Sequence, residues 1–442
     1  MIYKASMFNI SARFEDKIVL YNSLKGKNSI KIFNNEDKIF QWLDEQKRYS
    51  YCNDARFQWL IDNGYLVKNE MNERAIRDAR KAHLLEQQYL RLTIHVTQNC
   101  NFRCVYCAND FSINKMDINV QKMIIQYIKK NIHRFSGVFI SWFGGEPLLE
   151  VHTIESMSKQ IIEVCKRNRK PYNADITTNG YLLTEENIKC LLDCRVRQFC
   201  ITVDGNEENH DRVRKLYNGG KTYQCIINNL KKMKLYFPNQ NFEVAVRINL
   251  TKENFESFER YCKELKNILG EDKRFSIFIK FVRNWGGSSI EEIEDTLILE
   301  KEINDVYGKC LEKSNGLNVS GIFEMLEFGG FSCIAMRRNY LVVFVGGDIG
   351  KCEKEDYHNI VGRISNEGEL ILEDSFDSWN GIAYRMNDKC DNCAISPLCF
   401  GGVCPKDKLK NKYLDCVAEF MKLETILKYY AKMKVREEEN EK

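Results

Sequence analysis

The sequence predicts an α/β chain: a partial (β/α)6 barrel in the middle, a winged-helix-like unit before it and a loop-rich, metal-stapled region after it. Three observations carry that prediction. Six short β-rich runs, RLTIHVT, GVFISWF, NADITTN, QFCITV, EVAVRIN and SIFIKF, alternate with helical segments at 117–133, 152–168, 184–193, 222–235 and 255–268. Residues 1–70 have a different rhythm, with two strand-like runs, then helical spacing, then a last strand. Finally, the chain holds 18 Cys, many of them in two dense groups, one near residue 100 and one from 333 to 416.

Taken in order, IVLYNSLKGKNSIKIF alternates about a turn at Gly26. EDKIFQWLDEQ and DARFQWLIDNGY place apolar residues at helical spacing, and GYLV returns to strand character. Residues 71–90 are charged, carry few breakers and read as a linking helix. From 91 to 300 the strand–helix alternation argues for a parallel sheet, open or curled. Six units fall short of the eight in a closed barrel, which leaves an open side for a bulky substrate. A bridging segment, 301–330, leads to residues 331–420, which are Gly-punctuated and need metal to hold their shape. A helix near 417–435 ends the chain, and residues 421–442 are assigned to this helix and a tail.

A chain of 442 residues exceeds one ordinary core. Hydrophobic residues at 44% and charged residues at 29% are those of a soluble globular protein. The net charge of +4, without a basic stripe, speaks against a nucleic-acid partner. No apolar run approaches the roughly 20 residues of a membrane span, so no membrane partner is expected. The first residues, MIYKASMFNISARFEDK, lack the apolar core of a signal peptide, which predicts a cytoplasmic protein. Thiols stay reduced there, so clustered Cys read as metal ligands rather than disulfides. Cys52, Cys165, Cys190, Cys194, Cys200, Cys225, Cys262 and Cys310 stand singly and read as small buried hydrophobes.

Cys100, Cys104 and Cys107 stand in CNFRCVYC, directly after the first of the six strands. Three thiolates hold three irons of a cubane [4Fe–4S] cluster and leave one iron open, as a catalytic metal site requires. Structural zinc, with His95 as a fourth ligand, is the rival reading. The motif resembles that of the radical S-adenosylmethionine (radical SAM) superfamily, in which an aromatic residue, here Tyr106, precedes the third Cys. WFGGEP at 142–147 ends the second strand and resembles the family's glycine-rich motif for the methionine end of the cofactor. Gly144 and Gly145 allow close backbone approach, Glu146 fixes the loop and Pro147 stiffens it. ITTNGYLL, with Thr178 and Asn179, resembles the TNG segment. ITVDGNEENHDRVR resembles the S-x-D-G…H-D-x-x-R segment of the subgroup with extra clusters, with Thr202 in place of the usual Ser. The resemblance implies that Thr202 and Arg214 hold the cofactor carboxylate, Arg by its fork of donors, near Asp204. Arg247 and Asn249, in VRINLT, occupy strand-end positions where the family contacts cofactor or substrate; core packing is the alternative.

Cys333, Gly347 and Cys352 give C-x13-G-x4-C, followed by Cys390, Cys393, Cys399, Cys404 and Cys416. This resembles a SPASM domain, the auxiliary-cluster domain of radical enzymes that modify peptides and proteins. CFGGVC departs from the pattern, with four residues between its Cys where three are common. By resemblance, Cys390, Cys393, Cys399 and Cys416 bind one [4Fe–4S] cluster and Cys333, Cys352 and Cys404 another. The fourth ligand of the latter is left open, to be Cys310, a substrate thiol or none; zinc knuckles are the alternative to both. Glu353, next to Cys352, stands where sulfatase-maturing relatives place a catalytic carboxylate base; an exposed Glu in a charged run is the other reading.

The resemblance implies S-adenosylmethionine as cofactor and three [4Fe–4S] clusters. It further implies an external low-potential electron donor and a 5′-deoxyadenosyl radical that takes hydrogen from the substrate. The 1–70 unit resembles the leader-recognition elements of ribosomal-peptide maturases, which implies a precursor peptide whose leader binds there as an added strand. A DNA-binding winged helix is the alternative for this unit. Formation of Cys thioether cross-links is the first expectation. Carbon–carbon cross-linking or protein side-chain maturation is the second, and a non-catalytic iron–sulfur carrier or peptide-binding partner is the third.

Overall fold

The computed structural model describes residues 1–109, 111, 115–284, 288–314, 316–353, 360–402, 404–409, 416 and 423–440. The chain forms two compact units. One combines Met1–Glu86, Gly321–Arg337 and Trp379–Lys442; the other combines Gln87–Ser320 and Arg338–Ser378.

In the first unit, β1 (Ile2–Ala5) is the centre of an antiparallel sheet flanked by β5 (Tyr49–Ser50) and β6 (Leu66–Lys68). A second antiparallel sheet has the order β2 (Asn9–Phe14), β3 (Lys17–Asn22), β4 (Lys31–Asn34). The turn after β3 passes through Gly26 at φ +82, a conformation that favours glycine. Helix α1 (Ala55–Asp62) starts at Asp54, whose carboxylate accepts from the Arg56 N–H. It buries Phe57 and Leu60 against Tyr3, Leu20, Ile39, Tyr65 and Leu66. EDKIFQW, by contrast, makes only a 3₁₀ turn over Lys38–Trp42, since a short segment rarely repays the cost of nucleating an α-helix. Helix α2 (Glu73–Leu85) begins at Asn72 inside the charged 71–90 stretch, and its buried stripe is charged: Glu73, Arg77 and Lys81.

The second unit is a large open sheet. Six parallel strands stand in chain order: β7 (Tyr89–His95), β9 (Gly137–Phe143), β10 (Tyr172–Thr178), β11 (Val196–Thr202), β13 (Glu243–Leu250) and β14 (Phe275–Phe281). They are the six runs read from the sequence, in the arrangement of a partial (β/α)6 barrel. The crossover segments include α3 (Ile118–Asn131), α4 (Val151–Arg167), α5 (Glu185–Asp193), α6 (Glu207–Val213), α7 (Tyr223–Tyr236), α8 (Lys252–Glu256) and α9 (Phe258–Leu269). Helix α10 (Ile303–Lys313) follows β14. One face of the sheet is apolar and buried, with Leu92, Ile94, Ile140, Trp142, Ile176, Ile201, Val246 and Ile277. The alternate positions include Arg91, Ser141, Asp175, Cys200, Arg247 and Lys280, so the other face is a polar lining rather than a second packed core.

The sheet extends beyond six strands. β15 (Tyr340–Val343) pairs parallel with β7, and β16 (Asp348–Gly350), β17 (Gly362–Ile364) and β18 (Leu370–Leu372) continue it antiparallel. YLVV is buried at every position, as an interior strand between two neighbours should be. Beyond it, α11 (Asp374–Ile382), α12 (Ser396–Cys399), α13 (Pro405–Leu409) and α14 (Leu423–Asn440) follow. The last is the expected terminal helix, with residues 417–422 outside the described set. No helix among the described residues is long and apolar enough to cross a membrane.

Candidate active site

The site gathers at the carboxyl ends of the parallel strands, where such sheets bind ligands. After β7 the chain runs through Val96–Asn99 into the three-cysteine segment. There β8 (Phe102–Cys104) pairs antiparallel with β12 (Arg214–Leu216), and the register sets Arg214 opposite Cys104. The Cys107 N–H donates to the Cys104 carbonyl (3.0 Å), which closes the turn. Burial pushes the Cys104 thiol up to about 12 and the Cys100 thiol up to about 11; Arg214 opposes both shifts, and Glu146 adds to that of Cys100. Each thiol would therefore keep its proton unless a metal ion drove it off. Cys100 and Cys107 both add to the Cys104 shift, so the three are within electrostatic reach of one another. No three His, Cys, Asp or Glu side chains among the described residues are grouped tightly enough for a single metal ion. A cluster in which each ligated iron takes one thiolate does not need such a group.

The glycine-rich loop is clamped to this segment. The N–H groups of Gly145 and Glu146 donate to the carbonyls of Thr97 (2.9 Å) and Asn99 (2.8 Å). A Cβ on Gly144 would lie 2.1 Å from the Thr97 oxygen, and one on Gly145 would lie 2.3 Å from the Asn99 oxygen. The sequence reading has these glycines admitting the cofactor; the structure supplies a further reason, the approach of the chain to itself. Glu146 is fully buried. It accepts from the Thr178 hydroxyl (2.7 Å), the Asn179 N–H (2.7 Å) and the Leu148 N–H (3.0 Å), while Pro147 opens a 3₁₀ turn. Burial raises the Glu146 pKa and these donors oppose it. Asn179 Nδ2 in turn donates to Asn101 Oδ1 (2.7 Å), beside Cys100. Three separated motifs are thus tied into one floor.

A second network forms its wall. The Tyr106 hydroxyl donates to Asp204 and accepts from Arg214 Nη1 (2.6 Å) and Asn249 Nδ2 (3.0 Å). The Asn249 N–H donates to Asp204 Oδ1 (2.7 Å). The Asp204 N–H donates to His210 Nδ1 (3.1 Å), so a neutral ring carries its proton on Nε2 and donates it to Thr222 Oγ1 (3.0 Å). Burial, then Arg214, hold the His210 pKa well down, which agrees. Among the described residues the buried Nε of Arg214 has no partner, nor does that of Arg247. An orphaned guanidinium donor beside the cysteines suits an anionic ligand such as the cofactor carboxylate. Thr202 is buried at the end of β11, opposite Arg247 in register.

Asp175, on the polar lining of β10, was not singled out from the sequence. Burial pushes its pKa up to about 7, Glu353 raises it further, and Ser141 and Arg91 oppose the shift. Glu353 also raises the Cys200 thiol. The candidate base Glu353 therefore acts electrostatically on groups of the sheet lining. The sequence signal for Asp175 was a carboxylate inside a strand, between Ala174 and Ile176 of the opposite, buried face. His95 lies against Phe143 (5.1 Å) and Phe344 (5.3 Å), and burial pushes its pKa down to about 4. Asn101 and His210 were likewise unassigned from sequence.

Cys390, Cys393, Cys399 and Cys404 lie in the first unit with Cys333 and Cys416, and Cys352 lies in the second. Cys393 and Cys416 both raise the Cys390 thiol. Burial pushes Cys399 up to about 11, opposed by the N–H groups of Gly401 and Gly402, while Cys393 and Cys390 raise it further. Cys390 is thus within electrostatic reach of the other three proposed ligands of its cluster. Cys310 is fully buried on α10 within electrostatic reach of Cys262, as a packing residue would be.

The fold and these loops define an α/β domain with a three-cysteine loop at the ends of its parallel strands. Residues 94–265 match the model of the Radical SAM superfamily, a superfamily of enzymes that use a [4Fe–4S] cluster and S-adenosylmethionine. It is 19% identical over 448 residues to the radical SAM cyclopropyl synthase TigE of Paramaledivibacter caminithermalis, covering 89% of each chain. It is 26% identical over 348 residues to a cysteine-type anaerobic sulfatase-maturating enzyme of Clostridium novyi, covering 71% of this chain and 87% of the relative. Its fold resembles native anSMEcpe with bound AdoMet and Cp18Cys peptide (TM-score 0.59, 16% identity, 80% of this chain and 100% of that one). It also resembles Streptococcus suis SuiB bound to S-adenosylmethionine (TM-score 0.50, 16% identity, 95% and 98%).

Proposed function

We propose that this chain is a radical SAM peptide maturase. The observation that carries the reading is the mesh that locks the Cys100–Cys107 loop to Gly144–Pro147, Thr178–Asn179 and Arg214, with an unpartnered buried donor left over. In this reading Cys100, Cys104 and Cys107 hold the first cluster. Gly144, Gly145 and Glu146 shape the seat of the cofactor's methionine end. Arg214 and Thr202 take its carboxylate, and Tyr106, Asp204, Arg247 and Asn249 orient it. Bound there, the cluster and cofactor supply one-electron cleavage of a C–S bond and hydrogen abstraction. Glu353 accepts the substrate proton, near Asp175.

The relatives named as sulfatase-maturating, and a similar fold solved with a bound peptide, support a peptide substrate. The edge strands β5 and β6 suit a leader added as a further strand. The resemblance to a SPASM domain implies two auxiliary clusters, the first on Cys390, Cys393, Cys399 and Cys416, the second on Cys333, Cys352 and Cys404. An external low-potential donor reduces the enzyme. Thioether formation is the preferred product, with carbon–carbon cross-linking or side-chain maturation as the second reading.

Anaerobic co-expression with each small reading frame beside the gene, followed by mass spectrometry, tests this. The control is Cys100→Ala, Cys104→Ala, Cys107→Ala. Hydrogen loss that depends on those cysteines, with fewer alkylatable thiols, is expected. Loss with all thiols free would mean a carbon–carbon bond. Unchanged peptides from a cluster-loaded enzyme would remove the neighbouring-peptide reading.

A further inference from the structure

Two lysines lie buried beside the Cys390–Cys399 loop, where unpaired cations are unfavourable. Lys81 of α2 is 3% exposed and Lys408 of α13 is 8% exposed. Their acceptors are main-chain carbonyls. Lys81 Nζ donates to Tyr384 (3.3 Å), and Lys408 Nζ to Arg385 (3.3 Å) and Phe400 (3.2 Å). Among the described residues neither has a carboxylate at ion-pair distance, and Lys408 and Arg77 both act against the charge of Lys81. The groups that favour their charge include the thiols, Cys399 for both lysines and Cys390 for Lys408; Asp78 also favours that of Lys81.

The rest of the surroundings has the same sign. Arg77, 1% exposed, donates through Nη1 to the Cys390 carbonyl (3.1 Å) and to Ser396 Oγ (3.0 Å). The backbone turns through Phe400 (φ +54), Gly401 (φ +79) and Gly402 (φ +137), so that the Gly402 N–H donates to the Cys399 carbonyl (3.2 Å) and the Gly401 and Gly402 N–H groups favour the charged form of Cys399. A buried pocket that concentrates ammonium groups and N–H dipoles on thiols costs stability until an anion fills it.

We propose that Lys81 and Lys408 are buried counter-charges for an anionic [4Fe–4S] cluster on Cys390, Cys393, Cys399 and Cys416, and that they raise its reduction potential. The inference rests on the auxiliary-cluster reading above. Net charge around a cluster is one of the levers that set its potential. Positive charge favours the reduced, more negative state, so the lysines make this cluster a better acceptor for an electron returned from the substrate. They are positioning residues for electron transfer and touch no substrate.

The test uses the full chain with Cys100→Ala, Cys104→Ala and Cys107→Ala, reconstituted anaerobically so that only auxiliary iron remains. Lys81→Met and Lys408→Met are compared with Lys81→Arg and Lys408→Arg. Iron is counted, and midpoint potentials are read by EPR-monitored titration. Each Met variant should shift one auxiliary signal about tenfold toward the oxidised form at fixed potential, a fall of about 59 mV for one electron. The Arg variants should stay near the parent. Met variants that load iron and keep the parent potential would overturn the proposal. Iron lost from the Met variants but held by the Arg variants supports it. If all four lose iron, melting of the cluster-free chain decides: without the anion, Met must be more stable than Lys, and an equal or lower melting temperature refutes the idea. A parent with no auxiliary iron would instead refute the underlying cluster assignment.

Discussion

Arg214 uses its donors unevenly: Nη1 serves Tyr106, while the buried Nε has no acceptor among the described residues. Arg214→Lys keeps the charge but loses the planar fork. It should leave the iron content intact and weaken S-adenosylmethionine binding about 10- to 100-fold, the value of a charged hydrogen bond of about 1.5–3 kcal/mol. Calorimetry checks this, and unchanged affinity would reduce Arg214 to a structural part. Gly145 gives a sharper outcome. A Cβ there meets the Asn99 oxygen at 2.3 Å and the Gln98 oxygen at 2.4 Å, both backbone, so Gly145→Ala must displace the chain leading into Cys100. The variant should lose the first cluster, about four irons per chain. Gly381→Ala, where a Cβ meets nothing within 4 Å, should lose none. At Asp175 burial lifts the pKa from 3.8 to about 7, so between those values the folded state holds a proton that the unfolded state has released. Stability should therefore fall as pH rises through that window and level off above it. Asp175→Asn should flatten the slope in denaturant titrations at pH 4–7; a slope unchanged from the parent would mean the carboxyl is not in this state.

Helix α2 shows how an element can be legible in outline and opaque in purpose. Its length and charge predict a helix between 71 and 90, yet Arg74, Arg77 and Lys81 turn one face onto the loop around Cys390. Arg77→Met removes two buried acceptor contacts of a charged donor and should cost about 2–4 kcal/mol, toward the lower end because its carboxylate partners Asp78 and Asp391 are half-exposed. A chemical-denaturation midpoint unmoved from the parent would count against that role. The strands of the second unit were legible because apolar alternation is a local property. The spacing of the cysteines is local in the same way, whereas which of them share a cluster is not. β15 was not legible, since YLVV follows a loop-rich stretch and acquires meaning only beside β7. The link from Tyr106 to Asp204, 98 residues apart, and the tautomer of His210 depend on folding that no local window contains.

The division of the molecule follows contacts rather than chain order. Residues 1–86 share one compact unit with segments more than 200 residues away. The Tyr21 hydroxyl donates to the Leu326 carbonyl (2.5 Å), Ser23 to that of Ala394, and Arg74 Nε to that of Asp391 (3.1 Å). Lys27 pairs with Glu327 (3.4 Å), and Phe323 meets Tyr430 edge-on at 5.5 Å within the same unit. A leader-binding module joined only by a linker would be removable without harm to the clusters. Here removal of residues 1–86 strips Arg77 and Lys81 from the loop around Cys390 and leaves Tyr21's acceptor bare. The truncated chain should therefore fall from roughly twelve irons to about four, at four per cubane. It should keep the cluster on Cys100, Cys104 and Cys107 and still cleave S-adenosylmethionine under strong reductant. Full iron retention in the truncated chain would show that the N-terminal segment is a detachable module after all. Loss of all iron would show that the strand-end site, too, depends on it.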